Sequence, residues 1–204
     1  MKFCKFIYLF VTIFAGCATS AKDNHNMRYN YPGSLDVIKQ AEWGWQPILR
    51  EFREHEISKI TLHHGGEDFP ADKDPVKYLR NLQSWSRSEK GWIDIPYHYM
   101  IDLQGKIYEA RPLHYPGDTN TDYEPTGHAL ICVMGNYEHQ IVSEAQLEAI
   151  LGLTAFLAQS RHVLIEAIKG HKDYAETLCP GKNLYRYLQD GTIHDFVKTA
   201  MKGK

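Results

Sequence analysis

The sequence predicts an α/β fold class, and three observations predict it. Ile57 to His63 alternates apolar Ile60 and Leu62 with Lys59, Thr61 and His63, the period of two of a strand. Tyr97 to Asp102 and Lys106 to Ala110 are two further strand-like runs, and Gln104-Gly105 between them makes a hairpin signature. Segments with helical spacing and recognisable caps separate and follow these strands. With 204 residues, 43% hydrophobic and 24% charged, the chain suits one globular domain with its own core. A formal charge of -2 provides no basic field to recruit nucleic acid, so no nucleic-acid partner is expected.

Taken in order, Met1 to Ser20 reads as an export signal. Lys2 and Lys5 precede the apolar run Phe6 to Phe14, which is too short for a membrane span. Phe14-Ala15-Gly16-Cys17 resembles a bacterial lipobox, which makes 1–17 a lipoprotein-type signal peptide and Cys17 the lipid-bearing first residue of the mature protein. Plain signal cleavage is the alternative. The expected location is therefore exported and lipid-anchored to a membrane, the outer one if the host has two. Several acyl chains on one cysteine anchor stably where a single chain is marginal. Residues 18–33 are polar and aperiodic and read as a flexible tether, leaving 34–204 as the folded domain.

Trp43 and Trp45 are expected to pack over the first strand. Asp74-Pro75 opens a helix, with Asp as N-cap and Pro in the first turn, and Val76, Leu79, Leu82 and Trp85 on its apolar face. This helix is expected to run to about Lys90, before Gly91. The apolar run His128 to Met134 predicts a central strand. Ser143-Glu144-Ala145-Gln146 is a capping box, and Leu147, Ile150, Leu151, Thr154 and Leu157 mark one face of a long helix ending near His162. Leu184 to Leu188 and Ile193 to Met201 look like short terminal helices.

The chemistry concentrates in Gly170 to Gly181, where His171 and Cys179 stand eight residues apart among Gly and Pro that oppose a continuous helix. Neutral imidazole and thiolate are good ligands for a borderline-soft ion such as zinc. Two ligands leave a catalytic zinc site one protein ligand short, with a fourth position open for water. The obvious third donor is the pair His63-His64 at the end of the first strand. Adjacent strand residues point to opposite faces, so the two cannot both easily reach one ion. Cys132 lies in an apolar run and reads as an ordinary buried thiol, a Cys132–Cys179 disulfide being the competing possibility.

Three blocks, Ile60 to His64, Gly91-Trp92-Ile93-Asp94-Ile95-Pro96-Tyr97, and Gly170 to Gly181, stand in the order found in one superfamily. The chain resembles the zinc-dependent N-acetylmuramoyl-L-alanine amidases of the phage T7 lysozyme and peptidoglycan recognition protein superfamily, over roughly residues 40 to 190. That resemblance implies a T7 lysozyme-like fold, a central mixed β-sheet flanked by helices. It implies one Zn2+ ion held by His63, His171 and Cys179, with Tyr97 beside it. His64 is left to orient the site or simply to pack. Relatives from phage carry Lys two residues before the Cys; this chain has Thr177, as the eukaryotic amidases do, and Thr177 is expected to support an oxyanion by hydrogen bonding alone. Glu166, Asp173 and Glu176 are possible general acids, though Asp173 is better placed to fix the loop.

The implied reaction is hydrolysis of the amide between N-acetylmuramic acid and L-alanine in peptidoglycan or muropeptides, by a monomer. The rival is a peptidoglycan-binding module without catalysis. Arg111 to Gly127 departs from the family pattern: where relatives usually carry Gly-x-His-Ala, this chain has His114-Tyr115-Pro116-Gly117-Asp118-Thr119-Asn120. The family's substrate contacts from this loop are therefore not carried over to this chain.

Overall fold

The computed structural model describes residues 30–202; the expected signal peptide, Cys17 and most of the tether lie outside the described residues. The elements run β1 (Val37–Ile38), α1 (Gln40–Trp43), β2 (Lys59–His64), α2 (Pro75–Ser88), β3 (Tyr99–Ile101), β4 (Ile107–Glu109), β5 (His128–Val133), α3 (Glu144–Arg161), β6 (Ile168–Gly170), α4 (Lys182–Gln189) and α5 (Thr192–Lys202). One six-stranded sheet has the order β1-β4-β3-β5-β2-β6. Every pairing is parallel except β3 with β4, which is the expected hairpin. The sheet is mixed and flanked by helices, as the motif order implied.

β5 lies inside this sheet between β3 and β2, and β2 between β5 and β6; β5 is apolar along most of its length because it is buried throughout, whereas β2 sets Ile60 and Leu62 among Lys59, Thr61, His63 and His64. Register decides what each side chain meets. Met100 pairs with Tyr108 and Cys132, and Cys132 pairs with His63, so these four share one face. That face is covered by α2 through Leu79, with Val76, Tyr78 and Leu82 packed against the same cluster. The helix starts as expected: the Asp74 carboxylate accepts the backbone N–H of Val76 and of Lys77, and Pro75 stands in the first turn. It stops at Ser88, two residues before the expected Lys90.

Four local expectations need correction. The first strand begins at Lys59 and includes His64, rather than running from Ile57 to His63. Trp43 does not lie over that strand; it packs with Leu79, Ile95, Met100 and Tyr108 and donates its indole N–H to the Glu109 carbonyl at 2.7 Å. Trp45 reaches Asp94 instead, at 2.7 Å. The long helix α3 begins with the expected Ser143–Gln146 box, but is buried over more than one stripe, since it touches β2 and β3 on one side and α5 on another. Finally, the tether does not extend to 33: Tyr31 donates to Glu109 at 2.7 Å and its ring lies 4.9 Å from that of Phe156. Cys132 and Cys179 are both free thiols, so the disulfide alternative falls.

Candidate metal centre

Parallel pairing of β2 with β6 aligns Leu62 with Gly170. The next residues, His63 still within β2 and His171 just past the end of β6, therefore stand side by side, and their rings lie 4.5 Å apart between centroids. Cys179 reaches the same point by a loop folded back on itself. The Lys172 N–H donates to the Cys179 carbonyl at 2.9 Å, and the His64 N–H donates to the Cys179 sulfur at 3.3 Å. Two glycines make this closure possible. A Cβ on Gly181, whose φ is 85°, would sit 2.3 Å from the Tyr137 carbonyl carbon. One on Gly170 would press on the Tyr185 ring at 2.9 Å and on Pro180 at 3.0 Å.

The ligand-type atoms of His63, His171 and Cys179 all lie within 4.8 Å of one another, and the three residues are buried. His63 Nδ1 is 3.6 Å from Cys179 Sγ. Zinc bonds of about 2.05 Å to nitrogen and about 2.3 Å to sulfur, at a tetrahedral angle, place those two atoms about 3.6 Å apart. The donor set therefore fits a zinc ion by geometry as well as by element. Charge agrees. Burial, and the neighbouring imidazole of His171, hold His63 well below its usual 6.5; burial and His64 lower His171 to about 4. Both rings are neutral near pH 7, the form that donates a lone pair. Burial pushes the Cys179 thiol up to about 12, against the pull of the His64 N–H. A thiolate here needs a cation beside it, which a divalent ion supplies.

His64 faces away from this centre. Its Nδ1 accepts the Tyr137 N–H at 3.1 Å, as alternation along the strand requires. Tyr97 stands beside His63 with ring centroids 5.2 Å apart, and burial raises its phenol well above the usual 10, so it remains a donor. The Thr177 hydroxyl accepts the Cys179 N–H at 3.2 Å, which leaves its own proton to donate elsewhere. Asp173 fixes the loop: it accepts the Gly170 N–H at 2.8 Å and the Tyr185 hydroxyl at 2.5 Å. Neither Asp173, Glu166 nor Glu176 lines the cleft.

That cleft has a volume of about 530 Å³, and His63, His171 and Cys179 share its wall with Tyr97 and Thr177. Trp85, Trp92 and Asn81 also line it, as do Asp118 to Thr121. A larger hollow of about 740 Å³ beside Arg80 and Arg87 has no imidazole, thiol or carboxylate in its wall. Two residues in contact with the centre escape sequence reasoning. Thr121 Oγ1 lies 2.7 Å from His171 Nε2, and the Tyr123 hydroxyl 3.3 Å from His63 Nε2. Both come from the loop in which the family pattern fades.

A mixed sheet flanked by helices, with two histidines and a cysteine converging in an open cleft, defines an amidase-like α/β domain. Residues 53–182 match the N-acetylmuramoyl-L-alanine amidase family, and the chain belongs to it. Peptidoglycan recognition protein 1 of Mus musculus is 30% identical over 158 residues, 75% of this chain and 86% of that protein. The crystal structure of Drosophila peptidoglycan recognition protein SD superposes with a TM-score of 0.68 at 25% identity, over 76% of this chain and 94% of that one. Human PGRP-IBETAC, solved in complex with glycosamyl muramyl pentapeptide, shares the fold with a TM-score of 0.66 at 22% identity, over 76% and 94% of the two chains.

Proposed function

We propose that this chain is a zinc-dependent amidase that hydrolyses the bond between N-acetylmuramic acid and L-alanine in peptidoglycan. The observation that carries the proposal is a three-residue donor set in the wall of an open cleft, rather than a closed four-residue shell. Structural zinc sites are usually closed by four protein ligands, whereas catalytic ones keep a position free. His63, His171 and Cys179 are the residues that would hold the ion. When bound, zinc supplies positive charge that acidifies water and polarises the scissile carbonyl.

The protein's own groups do the remaining work. The phenol of Tyr97, held protonated by burial beside Cys132 and Cys179, offers a donor toward the reacting carbonyl. Thr177 offers a second, neutral donor, because the Cys179 N–H already occupies its acceptor side. Neither group carries charge, so both assist the developing oxyanion by direction rather than by strong field. Trp85 and Trp92 extend the cleft as an aromatic wall for the glycan or the stem peptide. Export and lipid anchoring at Cys17 would place the enzyme at the cell wall, where this substrate lies.

The rival is a module that binds peptidoglycan without cleaving it, favoured by the recognition-protein names among the relatives. Purified sacculi are digested with full-length protein, with chelator, and with chelator followed by zinc; the soluble products are weighed. Glycan chains with free lactyl carboxyls and intact stem peptides with a free L-alanine amine support the amidase. Sedimentation of the protein with sacculi and no soluble product supports the binding module.

A further inference from the structure

We infer that Thr121, seconded by Tyr123, positions the metal-binding histidines by fixing the proton on Nε2 of each ring. The inference rests on the zinc reading of the same centre and adds to it a loop that the family pattern does not supply.

An imidazole offers a lone pair from one nitrogen only when its proton sits on the other, and the partner of that other nitrogen decides the tautomer. Here the two Nε2 atoms have separate hydroxyl partners from one loop: Thr121 Oγ1 at 2.7 Å on His171 and the Tyr123 hydroxyl at 3.3 Å on His63. The Nδ1 of His63 is meanwhile turned to the sulfur at 3.6 Å. With Nε2 engaged, Nδ1 is the lone-pair donor left on His171.

The other contact of Thr121 permits the direction that the inference requires. Thr121 Oγ1 is 2.8 Å from Thr119 Oγ1, which also accepts the Thr121 N–H at 3.1 Å. With the Thr121 proton given to Thr119, its oxygen accepts from His171 Nε2–H. The loop is tied down behind this relay. The carboxylate of Asp118 accepts from the guanidinium of the buried Arg111, and the Asp118 N–H donates to the Pro96 carbonyl at 3.2 Å. Tyr123 is held separately, its ring 5.1 Å from His171 and 5.7 Å from Tyr174, nearly parallel to the latter. The shorter bond makes Thr121 the stronger of the two. Partners of this kind are worth about 10- to 100-fold in metal affinity.

The test measures zinc affinity of the full chain by competition with a chromophoric chelator, and reads the His171 tautomer by long-range proton–nitrogen NMR of the zinc-free protein. Wild type is expected to bind one zinc and show the Nε2–H tautomer. Thr121→Val should bind about tenfold more weakly or worse, Tyr123→Phe should lose less, and Thr121→Ser should return to within about threefold of wild type. A Thr121→Val protein with wild-type affinity, or an Nδ1–H tautomer in wild type, overturns the inference and leaves the zinc centre standing. A wild-type chain that binds no zinc sinks the zinc reading itself. The tautomer needs no variant, so a folding defect in Thr121→Val does not blunt the test.

Discussion

His64 gives its backbone N–H to the sulfur of Cys179 at 3.3 Å while its ring turns away and accepts the N–H of Tyr137 at 3.1 Å. Two consecutive histidines thus serve the centre in different ways, one through its ring and the other through its main chain. The main-chain contact survives any side-chain change. His63→Ala is therefore expected to abolish stoichiometric zinc binding, whereas His64→Ala should keep one zinc per chain, with affinity lowered by less than about tenfold. Metal content after dialysis, followed by chelator competition, separates the two. Loss of zinc from His64→Ala would assign its ring to the ion.

On the proposed mechanism Tyr97 and Thr177 are the neutral donors to the oxyanion, and their removal should spare the metal. Removing one well-placed oxyanion donor costs about 10²- to 10³-fold in turnover. Tyr97→Phe is expected at the lower end, about 10²-fold in kcat with KM little changed. Thr177→Val should cost about tenfold, because its hydroxyl is shared with the Cys179 amide, and Thr177→Ser should restore most of the loss. Rates on a defined muropeptide, with zinc content measured on the same samples, check this. A Tyr97→Phe enzyme of full activity would remove Tyr97 from the chemistry.

What could be read from the chain and what could not differ for physical reasons. His63, His171 and Cys179 could be singled out because three motif blocks stand in the order of one superfamily, and that resemblance, not strand periodicity, chose His63 over His64; the structure brings the three side chains together. β1 and β6, of two and three residues, are too short for any periodicity to register. Ile168–Gly170 becomes a strand because β2 offers it an edge to pair with. Thr121 and Tyr123 lie in an irregular loop, where a threonine that orients a ligand looks like any polar residue. Their partners are 50 and 60 residues away in sequence. Trp43 departs from its expected place for a related reason: the indole follows a carbonyl on β4, a partner that local sequence does not announce.

Arg111 is 2% exposed and donates to four acceptors. It donates to the carbonyls of Ile95 at 2.8 Å and Asp94 at 2.9 Å, to that of Pro116, and to the Asp118 carboxylate. Burial pulls the guanidinium below its usual value, and Asp118 opposes that pull. Replacing it with Leu strands three carbonyls and one carboxylate, at a cost of about 3–5 kcal/mol. Arg111→Lys should recover little, since a compact ammonium cannot span four acceptors in different directions. Urea unfolding at pH 7 measures both variants. A loss below about 1 kcal/mol for Arg111→Leu would show that the network is dispensable.

His98 predicts how stability depends on pH. It is buried immediately before β3, with Nε2 donating to the Tyr115 carbonyl at 2.8 Å and Nδ1 accepting the Leu130 N–H at 2.9 Å. A neutral ring satisfies both bonds; a protonated one has no lone pair for Leu130. Burial, with His55, Arg111 and His114 nearby, lowers this histidine from its usual 6.5 to about 3, against the raising effect of the Tyr115 carbonyl. The folded value lies below the unfolded one, so between about pH 6.5 and pH 3 the unfolded chain takes up a proton that the folded chain refuses. Stability must therefore fall as pH drops through that window, by up to about 1.4 kcal/mol per pH unit from this residue alone. Other buried histidines, such as His128 at about 4, add to the total slope, so the contribution of His98 is read by difference. His98→Gln keeps a donor and an acceptor but cannot titrate. Metal-free His98→Gln is expected to be less stable than wild type at pH 7, with the gap narrowing steadily between pH 6 and pH 4 in urea unfolding. Curves that stay parallel over that range would mean that His98 takes up its proton equally in the folded and unfolded chains.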